Sequence, residues 1–199
     1  MTGAGTPDRA GYYESRAGRP VRDLFVRAMD RFGNAWPGAV AVDLGCGDGT
    51  ETTALLGAGF TVAAMDSSPE AIRRTTARAG SNGGRLTATE AELQTYAVPR
   101  ADLVYAGFSL PFCPPADFPA LWTRIRAALR PGAVLAVTLL GERDSWADNP
   151  GLTVVTAQRV DELFAGLDQV DVVEEENDRE AYSGPKHWHL FDVVARQPR

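Results

Sequence analysis

The chain has 199 residues, a hydrophobic fraction of 44%, a charged fraction of 23% and a net charge of −6. Those proportions suit one globular domain with a substantial core, and the acidic balance makes a polyanion such as nucleic acid a poor partner. Only two cysteines occur, Cys46 and Cys113, and no apolar run or basic-then-apolar leader suits a membrane or export, so a cytoplasmic protein with no membrane partner is expected.

Residues 1–20 read as a loose polar tail, within which Tyr12, Tyr13 and Arg16 form a candidate lid offering aromatic faces and hydroxyls. Residues 21–199 read as a single domain. Val21, Leu24, Phe25, Ala28 and Phe32 recur at helical spacing, so an amphipathic helix precedes the core. Ala39 to Val42 is a buried strand, followed by three alternating glycines and a helix from Thr50 to Leu56. Phe60 to Met65 is a second strand, and Ser68-Pro69 caps the helix after it. Arg85–Thr89 and Ala101–Ala106 are the third and fourth strands. A helix with Leu121, Trp122, Ile125 and Leu129 on one face leads through a Pro131-Gly132 turn to a fifth strand, Ala133–Leu140. Val160, Leu163, Phe164 and Leu167 mark another helix. Gln169–Val173 and Lys186–Ala195 are the last two strands, joined by an acidic loop in which Glu174, Glu175 and Glu176 read as a solvated strand end. Alternating strands and helices imply a doubly wound α/β sheet, mostly parallel, whose last strand runs antiparallel because no helix separates the final pair.

The pattern Asp43-x-Gly45-x-Gly47-x-Gly49 between strand and helix is the layout of a nucleotide-type site. A dinucleotide fingerprint would need its third glycine at position 50, where a threonine stands, which disfavours a nicotinamide cofactor. The acid two residues ahead of the first glycine would repel a pyrophosphate and suits an ammonium or sulfonium. Asp66, about 20 residues past the loop, has the offset at which a carboxylate accepts from ribose hydroxyls. Ligands bind at the carboxyl ends of parallel strands, where Gly45 to Gly49, Asp66, Glu90 and Ala106 to Phe108 all fall. If the last strand is antiparallel, His187 and His189 start at that edge on one face, as candidates for a base or for orienting an acceptor. A metal is not expected, since no third ligand has suitable spacing.

Asp43 to Gly49 resembles motif I of the class I S-adenosylmethionine-dependent methyltransferases, and the likeness runs from about Val21 onward. It implies a seven-stranded Rossmann-like sheet and S-adenosylmethionine as cofactor, with S-adenosylhomocysteine as product. The implied cofactor contacts are Asp43, Gly45, Cys46, Gly47, Asp48, Gly49, Asp66 and Ser67, then Glu90 and Ala91 at the adenine and Ala106, Gly107 and Phe108 after the fourth strand. The segment Gly107 to Phe112 stands where motif IV stands but lacks its Asn-Pro-Pro-Tyr, which argues against adenine, cytosine or glutamine amides as acceptors. Leu110, Phe112 and Trp146, with the tyrosine segment, are the expected acceptor pocket. Lys186-His187-Trp188-His189 is similar to small bacterial methyltransferases of the tellurite-resistance group. The expectation is methylation of a small molecule at oxygen, sulfur, nitrogen or a chalcogen by a monomer or homodimer. The alternative is a non-catalytic module that binds S-adenosylmethionine.

Overall fold

The computed structural model describes Gly11, residues 18–182 and residues 184–199. Helix α1, Asp23–Phe32, buries Leu24, Phe25 and Ala28, and Gly33 ends it with a left-handed φ while donating its N–H to the Met29 carbonyl. Strand β1 is Val40–Leu44, helix α2 Thr50–Gly57 and strand β2 Thr61–Asp66. Helix α3, Pro69–Ala79, begins as expected, with the Ser68 hydroxyl accepting from the Ala71 N–H and Pro69 in the first turn. Strands β3, Leu86–Glu90, and β4, Ala101–Ala106, precede helix α4, Phe118–Ala128. Strand β5 is Leu129–Gly141, a two-residue strand β6 is Val154–Val155, and helix α5 is Ala157–Phe164. Strands β7, Asp168–Ala181, and β8, Gly184–Arg196, close the chain.

The sheet order is β3-β2-β1-β4-β5-β8-β7, with β6 paired to the end of β5. All pairings are parallel except β5 with β8 and β8 with β7. The small β6 makes eight strands among the described residues, one more than expected. The Leu129–Gly132 segment, expected as a turn, is the start of β5, entering the ladder at Ala101–Leu129 through a register shift.

The last hairpin is also longer than its hydrophobic pattern suggested. Expected as a strand end and loop, Glu174 to Glu180 continue β7, because alternate carboxylates lie opposite Phe191, His189 and His187 on β8 and keep their charge at a solvent-exposed edge. Two cores flank the sheet. On one face Leu24, Phe25, Leu55, Leu56 and Phe60 pack on Ala41, Leu103, Val134 and Val194. On the other, Leu121, Trp122, Ile125, Leu163 and Phe164 pack on Val42, Val104, Leu135 and Val193. Among the described residues, no helix is long and apolar enough to cross a membrane.

Candidate active site

The glycine turn is tied to the end of β2. The N–H groups of Gly45 and Cys46 donate to the Met65 carbonyl at 2.8 and 2.9 Å, and the Gly47 N–H donates to Asp66 Oδ2 at 3.0 Å. Asp66 Oδ1 accepts from the Ser68 N–H at 2.9 Å, so one carboxylate fixes both the turn and the entry to α3. Gly45 has φ 80°, and a Cβ there would overlap the Ser109 side chain, whose hydroxyl donates to the Leu44 carbonyl. Only glycine allows both that backbone and that approach. Asp66 stands beside Glu90 in register, and the exposed Glu90 carboxylate ends β3 next to Ala91. Burial pushes the Cys46 thiol well up, which leaves it a packing group beneath the turn.

Beneath the turn lies a polar cluster that periodicity did not indicate. Asp43 is buried, accepts from the Thr52 hydroxyl at 2.5 Å, and is raised to about 7, chiefly by burial and further by Glu51 and Asp66. Glu51 receives both arms of Arg19 at 2.6 Å and the Arg22 N–H at 3.1 Å. Asp48 accepts from the Thr50 hydroxyl at 2.9 Å and from Arg78 at 3.0 Å. Among the described residues the buried Tyr105 hydroxyl has no hydrogen-bond partner, and burial, with Glu51 next, raises its pKa well above the ordinary value. An orphaned hydroxyl against Gly107, with Asp43 and Glu51 near, is what a site for a ligand carrying polar and cationic groups leaves behind. These residues fit S-adenosylmethionine: carboxylates flank the turn, and among the described residues the hydrogen bonds of Asp66 come from backbone N–H groups, with no ion pair on Asp66 or Glu90.

Past β4 the site changes character. Phe108 has φ 67°, a left-handed conformation costing a non-glycine residue roughly 1 kcal/mol or more. Its ring meets Phe112 at 5.9 Å, Trp146 at 6.5 Å and Trp188 at 5.5 Å between centroids. The two tryptophans are 5.7 Å apart and hold the Lys186 ammonium between them, 4.4 Å from Trp146 and 3.8 Å from Trp188. Lys186 is ion-paired to Asp144, both side chains being buried, and burial lowers the lysine pKa while Asp144 opposes that shift. Asp144 also accepts from the Trp146 N–H at 2.9 Å and the His189 N–H at 3.0 Å, strapping the loop after β5 onto β8.

The expected residues Phe108, Phe112 and Trp146 therefore come together. Trp188 and Lys186 complete the group; alternation within Lys186–His189 carried the signal, but the histidines drew the reading. Leu110, expected in the acceptor pocket, is instead fully buried in the core under α4, because a short 3-10 turn, Leu110–Phe112, points it inward; Ala106, expected at the cofactor, ends β4 with its side chain buried in the same core. Histidines 187 and 189 share a face as expected, but it is the opposite one. Their rings lie over Asp178, Glu176 and Glu174, and His189 stacks edge-on to Phe191 of the α4-side core. The buried His189 accepts the Arg143 N–H at Nδ1, 3.1 Å away. Its Nε2 faces Glu174 at 2.9 Å and Arg143 at 3.0 Å, so alternation along β8 turns both rings away from the aromatic group. Glu174, Glu176 and His189 lie close enough to bind a cation, but the Arg143 guanidinium already sits among them. Tyr12, Tyr13 and Arg16 lie outside the described residues.

With this geometry in hand, residues 41–132 match the family described as a methyltransferase domain. That stretch is a methyltransferase domain. A trans-aconitate 2-methyltransferase of Deinococcus radiodurans is 34% identical over 141 residues, 69% of this chain and 50% of the relative. The chain spans about half the length of the curated relatives it matches. TehB of Haemophilus influenzae superposes with a TM-score of 0.77 over 95% of this chain and 67% of its own, at 12% identity. NodS of Bradyrhizobium japonicum, an N-methyltransferase solved with S-adenosylhomocysteine, does so at 0.65 over 93% and 91%, at 16% identity. Both share the fold of this methyltransferase domain, Rossmann-like with antiparallel strands at its carboxyl-terminal end.

Proposed function

We propose that this chain, acting as one domain over residues 21–199, transfers a methyl group from S-adenosylmethionine to a small-molecule acceptor. The observation that carries the reading is the Gly45–Gly49 turn clamped to Asp66 with Glu90 in register beside it. S-adenosylmethionine supplies a methyl group already activated on a sulfonium. The chain supplies position: Asp43 and the Tyr105 hydroxyl face the amino-acid end, Asp66 takes the ribose, and Glu90 with Ala91 takes the adenine. The acceptor stands over Phe108, Phe112 and Trp146, in line with the methyl group and shielded from water. The acidic net charge supports a small acceptor over a nucleic acid. The histidine pair is not assigned as a base, since its rings face the β7 carboxylates.

The test is a calorimetric titration with S-adenosylhomocysteine. Binding to the wild type is expected, with a loss of about a hundredfold in Asp66→Ala, the worth of one or two hydrogen bonds to a carboxylate. Amide exchange at Gly47 and Ser68, whose N–H groups Asp66 accepts, separates lost ribose contacts from a disturbed turn in that variant. A folded wild type that binds no S-adenosylhomocysteine ends the reading. Binding without turnover of any acceptor would favour the non-catalytic module.

A further inference from the structure

The aromatic group beside the glycine turn has a composition that selects among acceptors. Phe108, Phe112, Trp146 and Trp188 come from three separate segments, the β4 exit, the β5 exit and β8, yet each ring lies within 6.5 Å of another. Phe112 is 52% exposed and Phe108 and Trp146 are half-buried, so the group offers ring faces and edges rather than a sealed core. It adjoins the cofactor turn directly, because Ser109, next to Phe108, is the residue packed against Gly45. Phe108 holds a left-handed backbone at this junction, with its ring among Phe112, Trp146 and Trp188. The walls are also held rigid, since the Lys186 ammonium clamped between the indoles and paired with Asp144 fixes their separation.

The charged groups around these rings are already engaged. Lys186 and Asp144 pair with each other, Asp144 takes two backbone N–H groups besides, and Arg179, over the Trp188 ring, pairs with Glu175. Both imidazoles lie over the β7 carboxylates, on the face of β8 away from Phe108. We propose that the acceptor is a planar aromatic molecule, stacked on Phe108, Phe112 and Trp146, that attacks through a lone pair needing no protein base, such as an aryl thiolate or a ring nitrogen. This deepens the methyltransferase reading and rests on it. The acceptor's lone pair forms the bond to the methyl carbon as the sulfur–methyl bond breaks, and that electron pair returns to sulfur to give the neutral thioether. No proton passes to the chain.

The experiment compares two uncharged probes of similar size, methylthionaphthalene and its saturated counterpart methylthiodecalin, titrated into the full chain with and without S-adenosylhomocysteine. The aromatic probe should bind about two- to tenfold tighter, the scale of an aromatic stacking preference. Phe112→Leu and Trp146→Leu should each bring the two probes toward parity with S-adenosylhomocysteine affinity unchanged. Phe112 is largely exposed, so its variant tests the surface even if Trp146→Leu fails to fold. Parity in the wild type, or a preference that survives both substitutions, overturns the aromatic acceptor and leaves the methyltransferase reading standing. Loss of S-adenosylhomocysteine binding with the aromatic preference intact ends methyl transfer while keeping an aromatic site.

Discussion

The two halves of the sheet's carboxyl edge are made of different materials. Over β1 to β3 the site is backbone and carboxylate: one glycine turn, Asp66 and Glu90 in register, and Asp43, Asp48 and Glu51 below. Over β4, β5 and β8 it is aromatic, built around one buried ion pair, Lys186 with Asp144. On the proposed reading the first half meets a ligand whose charges and hydroxyls are fixed, so directed donors and acceptors suit it. The second offers surface, shape and low polarity, which select by fit. A methyl transfer site needs both, the cofactor held by bonds and the acceptor held by contact.

The largest expected effect tests whether the aromatic half is held by its ion pair. Lys186→Met leaves Asp144 buried without its partner and should cost about 3–5 kcal/mol in urea denaturation. Adding Asp144→Asn should recover much of that. A neutral Lys186→Met would mean that ring packing alone holds this half.

The next probes the polar half through Asp43. Its carboxyl ionises near 4 in the unfolded chain and at about 7 in the fold, so the folded state holds the extra proton between those values. Stability therefore falls as pH rises through that window, and the full penalty applies above it. Asp43→Asn, still able to accept from Thr52, should stabilise the protein at pH 8 by up to about 4 kcal/mol and hardly at all at pH 4. On the proposed reading, in which Asp43 faces the ligand's amino-acid end, the same substitution should weaken S-adenosylhomocysteine binding. Thermal melts at the two pH values and one titration check both.

The smallest effect concerns the outer face of β8. Asp178, and then Glu176, raise the exposed His187 above its ordinary value. That pairing stabilises the fold below about pH 6.5 and is lost as pH rises through the raised value. Asp178→Asn should lower the melting temperature slightly at pH 5.5 and leave it unchanged at pH 9, with methyl transfer unaffected at either. A change in turnover would return the histidines to the active site.

The glycine turn, Asp66 and the β–α alternation were legible because each is local: alternating glycines, a capping Ser68 and an acid at a strand tip act within a few residues of themselves. The partnership of Glu51 with Arg19 joins residues 32 apart and appears as a charged side chain in an otherwise plain helix. The length of β7 was hidden for a related reason. A hydrophobic pattern marks strands that bury a face, and β7 is an exposed edge whose carboxylates meet their partners from distant segments, the β8 histidines and Arg143 after β5.

The sequence by itself determined the sheet's parallel half, the turn between β1 and α2, and the kind of ligand that turn admits, since backbone geometry and a leading acid need no distant partner. Only the tertiary structure decided which face of β8 meets the site. Side chains alternate along a strand, so one register sends Trp188 and Lys186 to the aromatic group and the histidines to the other side. That register is set by Leu140 against Leu190, 50 residues apart in the chain, where no short-range pattern reaches.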